Sequence, residues 1–277
     1  MVQWFMNKIF KYLKQLIKKI SEDEMFLRAS GVSFYILLAF FPFVLIVFLL
    51  STFISNRVSE AIFDILNLLP QDIEAIVSQL LTDTQASGIL IISLVGVSVW
   101  TLSGALVTIS KSLNVFYNVK ETRNFIVNRL SAIMWAVMML VLIIAIMVLI
   151  VFENYITLFL SVNFNLKPAG VLYDAFGLVL LFATLTLILA LIYKFVPNKK
   201  IKFTSVIKGS LTAALMWGVS SYGLAIYVNY FPTYHILYGS IAGILVLITW
   251  IFLTSTVLLL GGEINSISKN KADTDCN

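Results

Sequence analysis

At 277 residues, 60% of them apolar and only 12% charged, the chain is too apolar for a soluble globule. Its net charge of +5 does not argue for nucleic acid, because the lysines and arginines gather at the ends of apolar runs, where they set topology and meet anionic headgroups. One cysteine, Cys276, excludes an internal disulfide framework and a paired-thiol site.

Residues 2–20 come first in chain order. Met6, Ile9, Phe10, Leu13, Leu16, Ile17 and Ile20 recur at helical spacing, and Lys8, Lys11, Lys14, Lys18 and Lys19 fill much of the rest. This pattern predicts an amphipathic helix in the membrane interface, within a unit 1–28. It reads as a topogenic anchor, with an anionic-lipid sensor or gate as the alternative. Ser21-Glu22-Asp23-Glu24 reads as the N-cap and acidic first turn of the next helix.

Six apolar runs follow, 31–54, 88–110, 130–152, 172–196, 204–228 and 236–262. Each holds about 20 residues or more, enough helix to cross a hydrocarbon core of about 30 Å. The first is too long for a signal-peptide core and is followed by no small-residue cleavage site. Pro42 stands near its middle and predicts a kink that serves packing or a gate. Residues 55–87 are acidic and read as two short amphipathic helices, broken at Pro70, on the outer face. The second run carries Ser98, Thr101 and Ser103, and the fifth carries Ser220 and Tyr222; these two helices are the candidate lining of a polar path. The third run is almost uniformly aliphatic and is assigned to lipid. The sixth contains Gly239-x-x-x-Gly243, a close-packing motif, and ends at Glu263. A carboxylate near membrane depth is costly, so Glu263 is the candidate coupling residue, with pairing to a nearby lysine as the plainer reading. Residues 269–277 form a short tail.

Seventeen of the nineteen Lys and Arg residues lie before the first run, in the second and fourth connections with their flanks, and in the tail. Only Arg57 and Lys167 lie on the other side. By the positive-inside rule both ends are cytoplasmic. The expected fold is an all-α integral membrane protein of the bacterial plasma membrane, with its transmembrane domain at 29–268.

Several segments resemble the YihY/BrkB family of bacterial membrane proteins. They are Ala29-Ser30-Gly31-Val32-Ser33-Phe34-Tyr35 with Phe41-Pro42, Trp100-Thr101-Leu102-Ser103 through Leu113-Asn114, Glu121-Thr122-Arg123, Tyr193 to Lys200, Tyr238-Gly239-Ser240, Trp250, and Gly261-Gly262-Glu263-Ile264-Asn265. The resemblance covers about residues 20–268 and implies a role in envelope lipid export, virulence or serum resistance. It also brings an old label, transfer-RNA-processing ribonuclease, that the residues oppose. Metal-assisted cleavage needs a convergent His, Asp or Glu set. The one histidine, His235, falls on the outer side, and the inner connections offer only Glu121 as a plausible carboxylate.

The expected function is therefore a transporter or flippase of anionic lipids or other amphiphilic envelope metabolites, with no catalytic residue, metal or cofactor. Lys111, Arg123, Arg129 and Lys208 are the candidate headgroup-binding residues, though topology alone also accounts for them. No phosphate-binding loop is present, so ATP is not the direct drive within this chain. The alternative is a non-catalytic scaffold for envelope assembly. Expected partners are anionic lipids, not nucleic acid, and either a second copy or an envelope protein.

Overall fold

The computed structural model describes residues 2–54, 88–138, 141, 171–230 and 241–274. Among them are seven helices and no strand: α1 (Val2–Glu22), α2 (Met25–Ile54), α3 (Gly88–Phe116), α4 (Phe125–Met138), α5 (Val171–Phe195), α6 (Phe203–Tyr230) and α7 (Ile241–Thr274). Four segments are long and apolar enough to cross a membrane: Met25–Ile46, Ile92–Phe116, Phe203–Val228 and Ala242–Ser268. Two shorter apolar helices, Phe125–Met138 and Leu181–Phe195, stand where the third and fourth spans are predicted. The outer segment 55–87, most of the third run, His235, Gly239 and Cys276 lie outside the described residues.

Packing explains the layout. α7 is central: α2, α3 and α6 lie against it, α5 packs on α6 and reaches α7 through Tyr193, and α1 crosses α7 and α2. α1 is amphipathic as expected. Met6, Phe10, Leu13 and Ile17 are exposed along one stripe, while Leu16 and Ile20 pack on the core. On α4, Phe125, Ile126, Leu130 and Met134 are exposed, and Ala132 and Ala136 turn inward. This suits a helix facing lipid, where exposed apolar surface carries no cost.

Helix boundaries differ from expectation at three places. Ser21 does not cap α2. α1 runs through Glu22, and the amide of Glu24 donates to the Ser21 carbonyl at 3.3 Å with Glu24 in the left-handed region at φ 50°. The tetrad thus closes α1, and Arg28 Nε returns to the Asp23 carbonyl at 2.8 Å to fix the turn. α3 continues to Phe116 and ends in a Schellman motif. Asn118 sits at φ 51°, Asn118 N–H donates to Val115 O at 2.9 Å, and Val119 N–H donates to Asn114 O at 2.8 Å. α7 runs through most of the expected tail, to Thr274. Pro42 lies half-buried inside α2, which is assigned as one helix across it.

Candidate functional site

The basic ends of the helices meet around two polar clusters. The first is built on Glu263, whose side chain is fully buried, at 0% exposure. Lys19 reaches it from α1, Nζ to Oε1 at 3.0 Å. The same ammonium lies 3.5 Å from Asp23 Oδ2 and donates to Ser266 Oγ at 3.3 Å and to the Phe116 carbonyl at 3.4 Å. One lysine thereby joins α1, α3 and α7. Burying a lone carboxylate costs far more than burying a paired one, and the Lys19 contact offsets part of that cost for Glu263. The set is not closed. Glu263 Oε2, Asn265 Nδ2 and the Tyr117 hydroxyl are buried with no hydrogen-bond partner among the described residues. Burial, and secondarily the Glu263 charge, push the Tyr117 phenol above the usual tyrosine range.

Glycine brings the backbones beneath this cluster together. A Cβ on Gly209 of α6 would run into the Gly261 carbonyl of α7, and one on Gly261 would run into Tyr193 and Ala213. With no Cβ in the way, Gly209 N–H donates to Asn265 Oδ1 at 2.8 Å, and Tyr193 OH donates to Leu258 O at 2.6 Å. Of the predicted pair Gly239-x-x-x-Gly243, Gly239 lies outside the described residues; among those described, a close-packing motif is Gly209-x-x-x-Ala213 against Gly261. Its signal, small residues four apart on α6 facing a Gly-Gly step on α7, is present in the sequence.

The second cluster ties the α3–α4 connection to the α5–α6 connection. Asn124 opens α4, its carbonyl accepting from Asn128 N–H at 2.9 Å, a position that asparagine favours. Just before it, Glu121 accepts from Arg123 Nε and Nη2, both at 2.8 Å, and from Asn114 Nδ2 at 2.8 Å. Arg123 also donates to Ser110 Oγ at 2.9 Å, and Asn114 Oδ1 accepts from Asn198 N–H at 2.8 Å. The hydrogen bonds from Arg123 hold the Glu121 carboxyl below its usual value of 4.5 despite partial burial. A carboxylate with a depressed folded value stabilises the fold above about pH 4.5, and that stability is lost as pH falls through the folded value. We expect the 117–124 segment to exchange its amide hydrogens faster on acidification. Glu121→Gln should raise exchange at neutral pH, by about 2 kcal/mol of local stability, and flatten the acid response. Equal pH profiles for the two proteins would remove Glu121 from this role.

The predicted headgroup residues therefore divide. Arg123 is occupied by Glu121. Arg129 lies 4.3 Å over the Trp100 ring and donates to the Trp100 carbonyl at 3.0 Å. Lys111 and Lys208 are exposed. Of the path residues, Ser98 and Ser103 are buried in α3, Ser103 donating to Trp100 O at 2.7 Å and Thr101 to Val97 O at 2.8 Å. On α6, Ser220 is half-buried and Tyr222 exposed. Both helices pack against α7. Gly243 is half-buried near the start of α7. Among the described residues no group of three or more His, Cys, Asp and Glu side chains is placed to hold a metal.

Comparison with known proteins agrees in one direction. The chain is 29% identical over 271 residues to YfkH of Bacillus subtilis, which is named as a ribonuclease-like protein, covering 92% of this chain and 94% of that one. It is 30% identical over 268 residues to a UPF0761 membrane protein of Vibrio atlanticus, covering 92% and 82%. A UPF0761 membrane protein of Alteromonas mediterranea is 27% identical over 276 residues, covering 95% and 90%. No solved structure matches. The profile described as virulence factor BrkB matches residues 16–276, from the last turns of α1 to beyond the end of α7, so the chain belongs to the BrkB family of membrane proteins, together with its UPF0761 relatives.

Proposed function

We propose that this protein is a transporter or flippase of anionic lipids or other amphiphilic envelope metabolites. In this reading it crosses the bacterial inner membrane six times, with both termini in the cytoplasm, and it acts without catalytic residues. The observation that carries the reading is the Glu263–Lys19 pair. A fully buried carboxylate inside a membrane-length helix is costly, and its counter-charge comes from a separate amphipathic helix, α1. Its second oxygen and two neighbouring polar atoms have no partner among the described residues, which suits a group that exchanges a proton rather than one serving only as a brace. The basic ends of the helices suit collection of anionic headgroups.

The test is lipid redistribution in proteoliposomes, with headgroup-labelled anionic and zwitterionic lipids and a membrane-impermeant quencher. Faster loss of inner-leaflet protection than in protein-free vesicles, greater for anionic lipids, is the expected result. Protection equal to the empty control, with correctly inserted protein, would overturn lipid movement. The Lys19→Met/Glu263→Gln double variant should insert normally and lose at least tenfold in rate, the scale of an essential proton-transfer group. An unchanged rate would remove Glu263 as the coupling residue.

A further inference from the structure

Where α5 ends, the chain turns through residues 196–202 before α6 begins, and an open pocket of about 400 Å³ lies at that turn. Lys194, Lys199 and Lys200 line it, with Phe195, Pro197 and Asn198 between them. The volume falls within the roughly 300–1,000 Å³ of small-molecule sites.

The turn that carries the cavity is anchored. Val196 and Ile201 are buried, at 4% and 6% exposure, and the Val196 carbonyl accepts from Ser110 Oγ at 3.1 Å. Asn198 is held twice, its amide N–H by Asn114 Oδ1 and its Nδ2 by Thr122 Oγ1, both at 2.8 Å. These bonds belong to the Glu121–Arg123 cluster, so the wall carrying the lysines is braced from behind.

The charge facing the cavity is uncompensated. None of the three lysines forms an ion pair with a carboxylate among the described residues. The nearest acid on the α3–α4 connection, Glu121, is spent on Arg123. Lys194 is steadied without being neutralised, its ammonium lying 4.6 Å from the Phe195 ring centroid and 5.4 Å from that of Phe203. α6 begins at Phe203 with no acidic residue in its first turn, so its dipole adds to the positive field.

We infer that this cavity is a docking site for the phosphate-bearing headgroup of an anionic phospholipid. The phosphate chemistry follows from three unpaired ammonium groups. The lipid source follows from position: the cavity lies at the foot of α5, whose Leu178, Val179, Leu181 and Leu187 are exposed and apolar, so acyl chains have a hydrocarbon-facing helix beside them. The inference extends the proposed function by placing the headgroup, and it rests on the anionic-lipid reading. It replaces Arg123 and Arg129 as capture residues, because both are already engaged.

The experiment is calorimetric titration of the full-length protein in a neutral detergent, with short-chain phosphatidic acid, short-chain phosphatidylcholine and glycerol 3-phosphate as probes. Phosphatidic acid should bind most tightly, and its affinity should fall as salt rises. Lys194→Gln/Lys199→Gln/Lys200→Gln should weaken it on the order of a hundredfold. Lys199→Gln/Lys200→Gln, which leaves the Lys194 ring contacts intact, should weaken it by about tenfold and guards against misfolding of the triple variant. Equal affinity for glycerol 3-phosphate would overturn the lipid source in favour of a soluble phosphate. Affinity for phosphatidic acid that ignores the cavity lysines would overturn the site. Lysine-dependent binding without lipid movement overturns only the transport reading, and movement without lysine-dependent binding overturns only this inference.

Discussion

Lys19→Met should lower the stability of the purified protein by about 3–5 kcal/mol, because it leaves the Glu263 carboxyl buried at 0% exposure without its counter-charge. For a chain of this size that is a fall in melting temperature on the order of 10 °C. The size of the effect comes from what is left behind. Lys19 itself is 18% exposed and loses little by returning to water, whereas the carboxylate has no water to turn to. Adding Glu263→Gln should recover most of the loss, since the double variant buries a neutral amide in place of an unpaired carboxyl. Lys19→Arg should sit between the two. A double-mutant cycle measures the coupling directly. If Lys19→Met melts within about 2 °C of the parent, the pair does not hold α1 to the bundle and its position is set by Leu16 and Ile20 alone.

Alanine at Gly209 or Gly261 should be the second large effect. At either site the new methyl group meets the opposing helix's backbone, which has no rotamer to escape into. Overpacking of this kind costs about 1–3 kcal/mol, and the helices must also part far enough to break the Gly209–Asn265 and Tyr193–Leu258 hydrogen bonds. Gly96→Ala and Gly223→Ala are the matched controls. A Cβ at either meets nothing within 4 Å, so helix propensity alone should leave stability unchanged or raise it by up to about 1 kcal/mol. Melting temperatures of the four variants decide the matter. Similar losses at all four would mean that glycine is required for something other than close approach.

The large-scale order of the molecule was legible because membrane spans announce themselves by length and composition alone. Positions of α2, α3, α6 and α7 could be read directly from runs such as 88–110 and 204–228. The amphipathic helix α1 could be read from its lysine and leucine spacing. Helix ends were less legible, since they turn on backbone conformations that side-chain pattern does not encode. Glu24 and Asn118 take positive φ, and Asn118 does so without the glycine that usually marks such a stop. The site was half legible. Glu263 stood out as an ionisable group in an apolar run, and pairing with a lysine was the plainer of its two readings. Which lysine was not readable, because Lys19 lies on a different helix and its neighbours Lys14 and Lys18 look the same in sequence but are exposed. Arg123 looked free for the same reason: the fork it makes with Glu121, two positions away, depends on the turn that follows Asn118.

The link from Lys19 to Ser266 spans 247 residues, which gives the protein a history as well as a shape. At roughly 5–20 residues per second of synthesis, α1 leaves the ribosome some 10–50 s before the helix that will receive it. During that interval the carboxylate that Lys19 will meet is not yet part of the chain. The last segment to be made therefore completes the first. A chain cut short anywhere before α7 keeps Lys19 without its carboxylate, so an undocked α1 is the mark by which an unfinished copy differs from a finished one.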